Sequence, residues 1–256
     1  VQTCALPICL AELLSAHGYE TAYIGKWHLS GRGRKAPVPR EMRFGFEYWR
    51  ALECSHDYWH SDYYRDDEEQ MRRWSGYDAA AQTDEAISFV RNRRDDRPFF
   101  LILSWGPPHD PYDQAPTEFQ SLYADVDIPL RPNVPPEVSK QAKECIRGYY
   151  AHCSALDASF GKLLSALEDA GISDSTVVLF TSDHGDMLGS QGVWLKQKPW
   201  EESIRVPFLL RFPELSGRRR LVIDDTIMDS IDVMPTLLGI AGVPVPDSVE
   251  GCKIGR

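Results

Sequence analysis

The chain has 256 residues, of which 38 are acidic and 28 are basic, so its formal net charge is −10 at neutral pH. A chain of this length can bury a sizeable core as one large domain. The acidic balance argues against a general nucleic-acid binder, and no apolar run reaches the roughly 18 residues that a membrane-spanning helix needs. We therefore expect a globular protein that does not bind nucleic acid and has no membrane span.

The N-terminal part of the chain predicts a helix and then a short strand. Apolar residues at helical spacing precede Gly18, and glycine commonly ends a helix. Residues 21–24 follow as a short strand, and Lys26 and His28 come directly after it. On an extended strand this spacing of two places both side chains on one face. The two groups could then meet a single anion.

Two segments after this strand have an unusual composition. Residues 31–43 contain five basic residues against one acidic residue, which favours attraction of an anionic substrate, although ordinary solvated loops are often charged as well. Residues 54–64 combine aromatic residues with His56 and His60. A second metal site is one interpretation of these residues. We prefer a surface loop because the segment has no helical pattern.

A second histidine follows the next predicted strand. Residues 78–94 have the pattern of an amphipathic helix, and the apolar run 99–103 predicts a strand. A proline-rich segment leaves that strand and carries His109. His109 is therefore a candidate for catalysis at the end of a strand.

The segment 181–186 carries metal-ligand side chains at the end of a strand. Helical stretches at 137–152 and 155–169 precede the apolar strand 177–180, and Asp183 and His184 follow it. Open α/β sheets bind ligands beyond the carboxyl ends of their strands, so these two residues indicate a metal site. In the alternative interpretation, Asp183 caps a helix and His184 is a polar residue of a loop. Gly185 would allow a sharp turn.

The C-terminal part adds a lysine, a strand and a helix. Lys196 and Lys198 precede a strand at 206–210, and residues 228–241 predict the last helix. Strands that alternate with helices throughout the chain indicate an α/β sandwich. The six cysteines have no framework spacing. Cys145 and Cys153 would lie about 12 Å apart on one helix, too far for a disulfide.

Taken in order, these motifs resemble those of the sulfatases, a branch of the alkaline-phosphatase superfamily. The resemblance extends over residues 9–250. It implies an α/β/α sandwich around a central mixed, mostly parallel sheet, here incomplete. It also implies roles for six residues. Asp183 and His184 would be metal ligands, Lys26 and Lys196 would hold sulfate oxygens, and His28 and His109 would serve the nucleophile and the leaving group. Lys198 does not match the family spacing.

The resemblance implies a metal-dependent sulfuric ester hydrolase that acts on a small-molecule or carbohydrate sulfate ester. The implied metal is calcium, although an imidazole ligand suits transition metals better. The formylglycine nucleophile of the family derives from a Cys/Ser-x-Pro-x-Arg motif, which this sequence lacks, and Cys4 does not fit it. The alternatives are a phosphodiesterase or phosphonate monoester hydrolase of the same superfamily, and a non-catalytic binding domain.

The termini differ from the family pattern. Residues 1–8 resemble translated sequencing-adapter sequence, which should be set aside in reasoning about the fold. We expect residues 9–256 to be a partial catalytic domain that lacks the nucleophile region and the C-terminal subdomain, and that is inactive alone. By resemblance, the complete protein would be periplasmic or secreted rather than cytoplasmic.

Overall fold

The computed structural model describes residues 6–93, 97–213 and 228–253, with side chains from Leu10 onward. The helices are α1 Leu6–Ala16, α2 Asp78–Asn92, α3 Thr117–Ser121, α4 Ser139–Asp169, α5 Glu201–Ile204 and α6 Val233–Ile240. The strands are β1 Glu20–Lys26, β2 Tyr48–Leu52, β3 Asp62–Arg65, β4 Met71–Arg73, β5 Phe99–Ser104, β6 Val178–Thr181 and β7 Phe208–Arg211. Short 3-10 turns connect several of them.

The central sheet has five strands in the order β4-β3-β2-β1-β5. β1 runs parallel to both β2 and β5, whereas β3 and β4 are added antiparallel at one edge. β6 and β7 form a separate antiparallel pair. Within the described ranges this pair shares no ladder with the larger sheet. The sheet is therefore mixed and incomplete, as the sequence predicted.

Helices cover both faces of the central sheet because successive residues of β1 point to opposite sides. Tyr23 packs with Trp27, Phe46 and Trp49 in an aromatic cluster that also contacts Ala11 of α1. The neighbouring residues of β1 face the other way. Ala22 packs with Phe89 of α2 and Leu167 of α4, and Ile24 packs with Ala86 of α2. This arrangement is the predicted α/β/α sandwich.

Several predicted elements have different bounds in the structure. The two helical stretches at 137–152 and 155–169 form one continuous helix, α4. The last helix is shorter than 228–241, because a 3-10 turn precedes α6. In α4, Cys145 and Cys153 are both free thiols, in agreement with the predicted spacing. Within the described residues, no helix combines the length and apolar character needed to cross a membrane.

The surface-loop prediction for residues 54–64 holds only in part: residues 54–61 form no helix or strand and Trp59 is 40% exposed, but other residues of the segment are buried or belong to a strand. Cys54, Tyr58 and Ser61 are buried, and Asp62 begins strand β3. Tyr58 packs against Ala155 and other residues of α4. The segment's own sequence could not indicate this burial, because the contacts that cover the segment come from a helix about a hundred residues further along the chain.

Gly25 lies where β1 and β5 approach most closely. Its φ is +111°, and a Cβ atom at this position would lie 2.0 Å from the Ser104 carbonyl oxygen. Only glycine fits both the backbone conformation and the space. The close pairing of the two strands therefore depends on this residue.

We expect Gly25→Ala to lower the free energy of unfolding by about 3 kcal/mol, because the methyl group meets a backbone oxygen and the φ is strained. The matched control is Gly18→Ala, where φ is +86° but no atom lies within 4 Å of the added Cβ. That control should cost only about 1 kcal/mol of backbone strain. Urea denaturation of both variants measures the difference. Equal losses would show that the Ser104 contact is unimportant.

Candidate functional site

The carboxyl ends of the three parallel strands place the predicted residues at one edge of the sheet. Lys26 is the last residue of β1 and pairs with Leu52 of β2. Glu53 follows β2, and the segment with His109 follows β5. The strand ends at Lys26, and His28 has a left-handed φ of 54°. The expectation that Lys26 and His28 share one face of an extended strand is therefore wrong, because the backbone turns between them.

His109 and Lys196 are in direct contact. Lys196 Nζ donates a hydrogen bond to His109 Nε2, and His109 Nδ1 donates to the Asp110 carbonyl at 2.9 Å. This partner assigns the proton of the neutral imidazole to Nδ1 and leaves a lone pair on Nε2. Burial, together with the nearby Lys196 and Lys26 ammonium groups, lowers the pKa of His109. The predicted lysine and histidine thus form one pair, although they are far apart in sequence.

Lys196 lies among charges of both signs. Burial and the Lys26 ammonium lower its pKa, whereas Asp183 and Asp186 act in the opposite direction. Lys196 is half-buried, and Lys198 is exposed. The structure therefore brings Lys196 to the site edge, in agreement with its selection over Lys198.

Asp183 and His184 follow β6 and reach the same region. The rings of His109 and His184 are 5.8 Å apart. His184 Nδ1 lies 2.7 Å from the Gly185 carbonyl oxygen, and its Nε2 lies 3.6 Å from Asp183 Oδ2. A carbonyl that holds one ring nitrogen leaves the other free as a ligand.

The sharp turn expected at Gly185 is not the reason for glycine there. The backbone φ of Gly185 is not positive. A Cβ at this position would instead lie 2.1 Å from the Glu202 carbonyl oxygen, and the Gly185 amide donates to Ser203. The glycine allows the turn that carries Asp183 and His184 to lie directly on the segment that follows Lys196.

His28 lies beside Lys26 and Glu53. Burial and the Lys26 ammonium lower the pKa of His28, and the Glu53 carboxylate opposes them. Glu53 is buried and accepts the Ser30 amide at 3.2 Å. The buried carboxylate therefore fixes the turn that carries His28.

Two further groups at the site were not predicted. The His56 ring lies 5.0 Å from the His109 ring, and the Arg34 and Lys26 charges, after burial, lower the His56 pKa. Arg34 also acts on His28. His56 and Arg34 both follow the ends of parallel strands, and this position could have marked them as candidates for the site. The composition of residues 31–43 pointed to anion attraction in general and did not single out Arg34.

Buried tyrosines hold the segment that carries His109. Tyr58 Oη donates to the His109 carbonyl at 2.7 Å. Tyr112 Oη donates to Asp186 Oδ2 at 2.7 Å, and Asp186 is 8% exposed. Because Asp186 lies in the segment that follows His184, the second bond connects the segments after β5 and β6.

A buried histidine supports the same segment from α4. His152 is fully buried. Its Nδ1 accepts from Tyr77 Oη at 2.8 Å, and its Nε2 donates to the Pro111 carbonyl at 3.3 Å. Burial lowers the pKa of His152 to about 4, so the ring is neutral at neutral pH, with its proton on Nε2 toward the Pro111 carbonyl. His152 is therefore a positioning residue for the segment around His109.

The donors at Asp183 and His184 fit part of a metal site. They offer one carboxylate oxygen and one imidazole nitrogen within reach of a common point. No group of three or more His, Cys, Asp or Glu side chains among the described residues is placed to hold a metal ion. Two donors are fewer than a metal site needs, so Asp183 and His184 would supply only part of a coordination sphere.

Comparisons with known proteins agree with this fold. The sequence model of the family described as Sulfatase matches residues 7–243. An ulvan-active sulfatase of Formosa agariphila is 40% identical over 247 residues, which is 95% of this chain and 48% of the relative. An endo-4-O-sulfatase of Bacteroides thetaiotaomicron is 32% identical and matches 95% of this chain and 53% of the relative. The chain thus spans about half the length of these relatives.

A solved structure assigned to the sulfatases, from Bacteroides fragilis, superimposes with a TM-score of 0.89 at 28% identity. The match covers 96% of this chain and 58% of the solved one. Together with the family match, this places the fold in the alkaline-phosphatase-like superfamily. The chain belongs to the sulfatase family.

We expect Tyr112→Phe to lower the free energy of unfolding by about 2 kcal/mol, because buried Asp186 loses a hydrogen-bond partner. Tyr123→Phe is the control, since its hydroxyl bonds Ser154 at 2.8 Å in a partly buried place. Water can replace that bond, so the control should lose less than about 1 kcal/mol. Chemical denaturation measures both, and similar losses would argue against the link between the two segments.

His152 should make the fold sensitive to acid. Burial lowers its pKa from 6.5 to about 4, so the unfolded chain binds a proton in this window and the folded chain does not. The free energy of unfolding should therefore fall as the pH drops from 6.5 to about 4, by roughly 3 kcal/mol in total from this group. His152→Phe should lose this share of the pH dependence, and His17→Gln, at an exposed histidine, should keep it. An unchanged pH dependence in His152→Phe would contradict the assignment.

Proposed function

We propose that the complete protein is a metal-dependent hydrolase of sulfate esters, and that this chain supplies its sulfate-binding and proton-transferring groups. The observation that supports the proposal most is the convergence of Lys26, Lys196, His28 and His109 at one edge of the sheet, beside Asp183 and His184. The Lys26 charge lowers the pKa values of His28, His109 and Lys196, and positive charge concentrated in this way favours an anion.

Lys26 and Lys196 bind the nonbridging oxygens of the ester. Both are ammonium donors at the site edge, and each is among the charges that lower the pKa of His109. A sulfate group between them would receive charge-assisted hydrogen bonds. The same negative charge would offset the field of the lysines and raise the proton affinity of His109.

His109 delivers a proton to the leaving oxygen. In the free site His109 Nε2 accepts from Lys196 Nζ. Once a bound sulfate group takes up the Lys196 ammonium and raises the proton affinity of the ring, Nε2 binds a proton, and this proton passes to the leaving oxygen. Nδ1 is fixed on the Asp110 carbonyl, which keeps Nε2 directed at the site. A general acid must be both oriented and close to its target. His28, beside Lys26 and Glu53, serves the nucleophile side as a base.

A divalent cation, for which we propose calcium, and the formylglycine nucleophile of the family would supply charge neutralisation and the attacking oxygen. Asp183 and His184 would hold the cation. The carboxylate suits calcium, whereas the imidazole nitrogen also suits transition metals. Because the sequence has no Cys/Ser-x-Pro-x-Arg motif, we expect little turnover from the chain alone.

The ulvan-active sulfatase has a polysaccharide in its name, and we propose a sulfated carbohydrate or small sulfate ester for this protein. A phosphonate monoester hydrolase of Silicibacter pomeroyi shares the fold at a TM-score of 0.71 and 20% identity. This likeness concerns the fold alone. Parallel assays of aryl sulfate, aryl phosphonate and phosphodiester substrates with the complete enzyme decide between the activities. Faster turnover of a phosphorus ester would overturn the sulfatase proposal.

Inorganic sulfate tests the binding half of the proposal on this chain. We expect Lys26→Met and Lys196→Met each to weaken sulfate affinity about tenfold, because each removes a charged hydrogen-bond donor. Lys198→Met, at an exposed lysine of the same segment as Lys196, should bind as the parent does. Titration followed by NMR chemical shifts measures all three. Equal affinity of the Lys196 and Lys198 variants would refute the assignment.

A further inference from the structure

Residues 54–61, between β2 and β3, lie beside His109 and have no role in the reaction described above. The His56 ring lies 5.0 Å from the His109 ring, and Tyr58 Oη donates to the His109 carbonyl at 2.7 Å. Because His109 delivers a proton to the leaving oxygen, the alcohol that leaves must lie next to its ring. Side chains of this segment that reach the same space would therefore touch the leaving group.

The first such side chain is the imidazole of His56. The residue is half-buried, yet within the described part of the chain no protein group forms a hydrogen bond with either ring nitrogen, and only the backbone carbonyl of His56 is bonded. Burial and the charges of Arg34 and Lys26 lower the pKa of His56, so the ring is neutral at neutral pH. A neutral imidazole offers one donor and one acceptor, and a hydroxyl group can bond to either.

The second side chain is the indole of Trp59. Its residue is 40% exposed, but the ring has a fixed orientation. Nε1 donates to the Gln114 carbonyl at 2.8 Å, and the ring lies beside Tyr77, with the two centroids 5.8 Å apart. A single exposed apolar residue needs no explanation by itself. An indole that is already fixed, however, loses little conformational entropy when a ligand packs on it.

Gln114 holds both groups in place relative to His109. Its Oε1 accepts the Tyr58 amide at 2.7 Å, and its Nε2 donates to the His56 carbonyl at 3.4 Å. Its own carbonyl is the acceptor of the Trp59 indole. Since Gln114 belongs to the segment that follows His109, the two segments are fastened together on either side of the site edge.

A tight turn brings His56 and Trp59 close to each other. Asp57 Oδ1 accepts the amides of Trp59 and His60 at 3.1 and 2.9 Å, which closes the turn. Three peptide units separate His56 from Trp59, so their Cα atoms lie at most about 11 Å apart. This span is within the reach of a disaccharide.

We propose that His56 and Trp59 bind the sugar of a sulfated saccharide on the leaving-group side of His109. His56 exchanges a hydrogen bond with a hydroxyl group close to the ester oxygen, and the Trp59 indole packs on the C–H face of a sugar ring. A sugar suits this pair because it has hydroxyl groups at its edge and C–H groups on its face. The proposal rests on the sulfatase function proposed above, and it narrows the substrate from sulfate esters in general to sulfated saccharides.

A metal ion does not fit this segment. Among the residues that the structure describes, no group of three His, Cys, Asp or Glu side chains is placed to hold one. His60, the other histidine of the segment, is bonded through Nδ1 to Asp57 at 3.1 Å. The positive charges of Arg34 and Lys26, which act on His56, would also repel a cation.

NMR titrations of this chain with inorganic sulfate and with sulfated oligosaccharides from ulvan, carrageenan and chondroitin sulfate test the proposal. The parent should bind at least one oligosaccharide about tenfold or more tightly than inorganic sulfate, because sugar contacts add to those of the sulfate group. His56→Phe, which keeps a ring without its nitrogens, should weaken that affinity about threefold to tenfold. Trp59→Ala should weaken it about tenfold, and Trp59→Phe should weaken it less. None of these changes should alter the affinity for inorganic sulfate.

Two control variants should bind the oligosaccharide as the parent does. His60→Phe is matched to His56→Phe, because it changes a histidine of the same segment whose ring is occupied by Asp57. Tyr150→Ala is matched to Trp59→Ala, because Tyr150 is an aromatic residue of similar exposure, 38%, on α4. Equal losses in the controls would contradict a specific contact with His56 and Trp59.

The titrations separate this proposal from the sulfatase function on which it rests. An unchanged oligosaccharide affinity in both His56→Phe and Trp59→Ala would overturn the sugar site, and an unchanged affinity in one of them would remove that residue from it. A parent chain that binds inorganic sulfate as tightly as every oligosaccharide would overturn the sugar site and leave the sulfate site intact. If the parent binds no inorganic sulfate, the sulfate role of the lysines fails, and the oligosaccharide titrations still decide the sugar contacts.

Discussion

The parallel pairing of β1 with β2 and β5 is the constraint on which the site depends. Parallel strands end at the same edge of a sheet, so Lys26, Glu53 and the segment of His109 begin at neighbouring points. The pairing of β1 with β5 is close enough at Gly25 that no side chain fits against the Ser104 carbonyl. Backbone hydrogen bonds and one missing Cβ therefore set the distances between groups that are remote in sequence.

The electrostatics of this edge are opposite to those of the whole chain. The chain has a net charge of −10, yet Lys26, Lys196 and Arg34 all act on the histidines around His109. Repulsion between these positive charges costs free energy, and hydrogen bonds of buried side chains hold the groups in place against it. Tyr58 and Tyr112 hold the segment of His109 through buried hydrogen bonds. An anion would reduce the repulsion, which is the physical basis of the proposed sulfate binding.

The sequence was sufficient for most of the helices and strands and for selecting residues that the structure brings close together. Apolar runs followed by polar residues mark strand ends, so Lys26, His109 and Asp183 could be selected without any contact information, whereas Lys196 was selected by its match to the family spacing. The burial of Tyr58 and the proximity of His56 to His109 could not, because α4 and the segment after β5 create them. Local patterns also misjudged His28 and Gly185. Whether a residue ends a strand, or lies against another backbone, depends on tertiary neighbours.

The open edges of the two sheets have a consequence for handling the chain. Within the described residues β5 pairs only with β1, and β6 pairs only with β7. The apolar residues of β5 are half-buried, and Leu209 of β7 is 62% exposed. Unpaired strand edges that carry apolar side chains are templates for pairing with another chain. Self-association through these edges, rather than loss of fold, is thus the mode of failure to design against when the chain is expressed at high concentration.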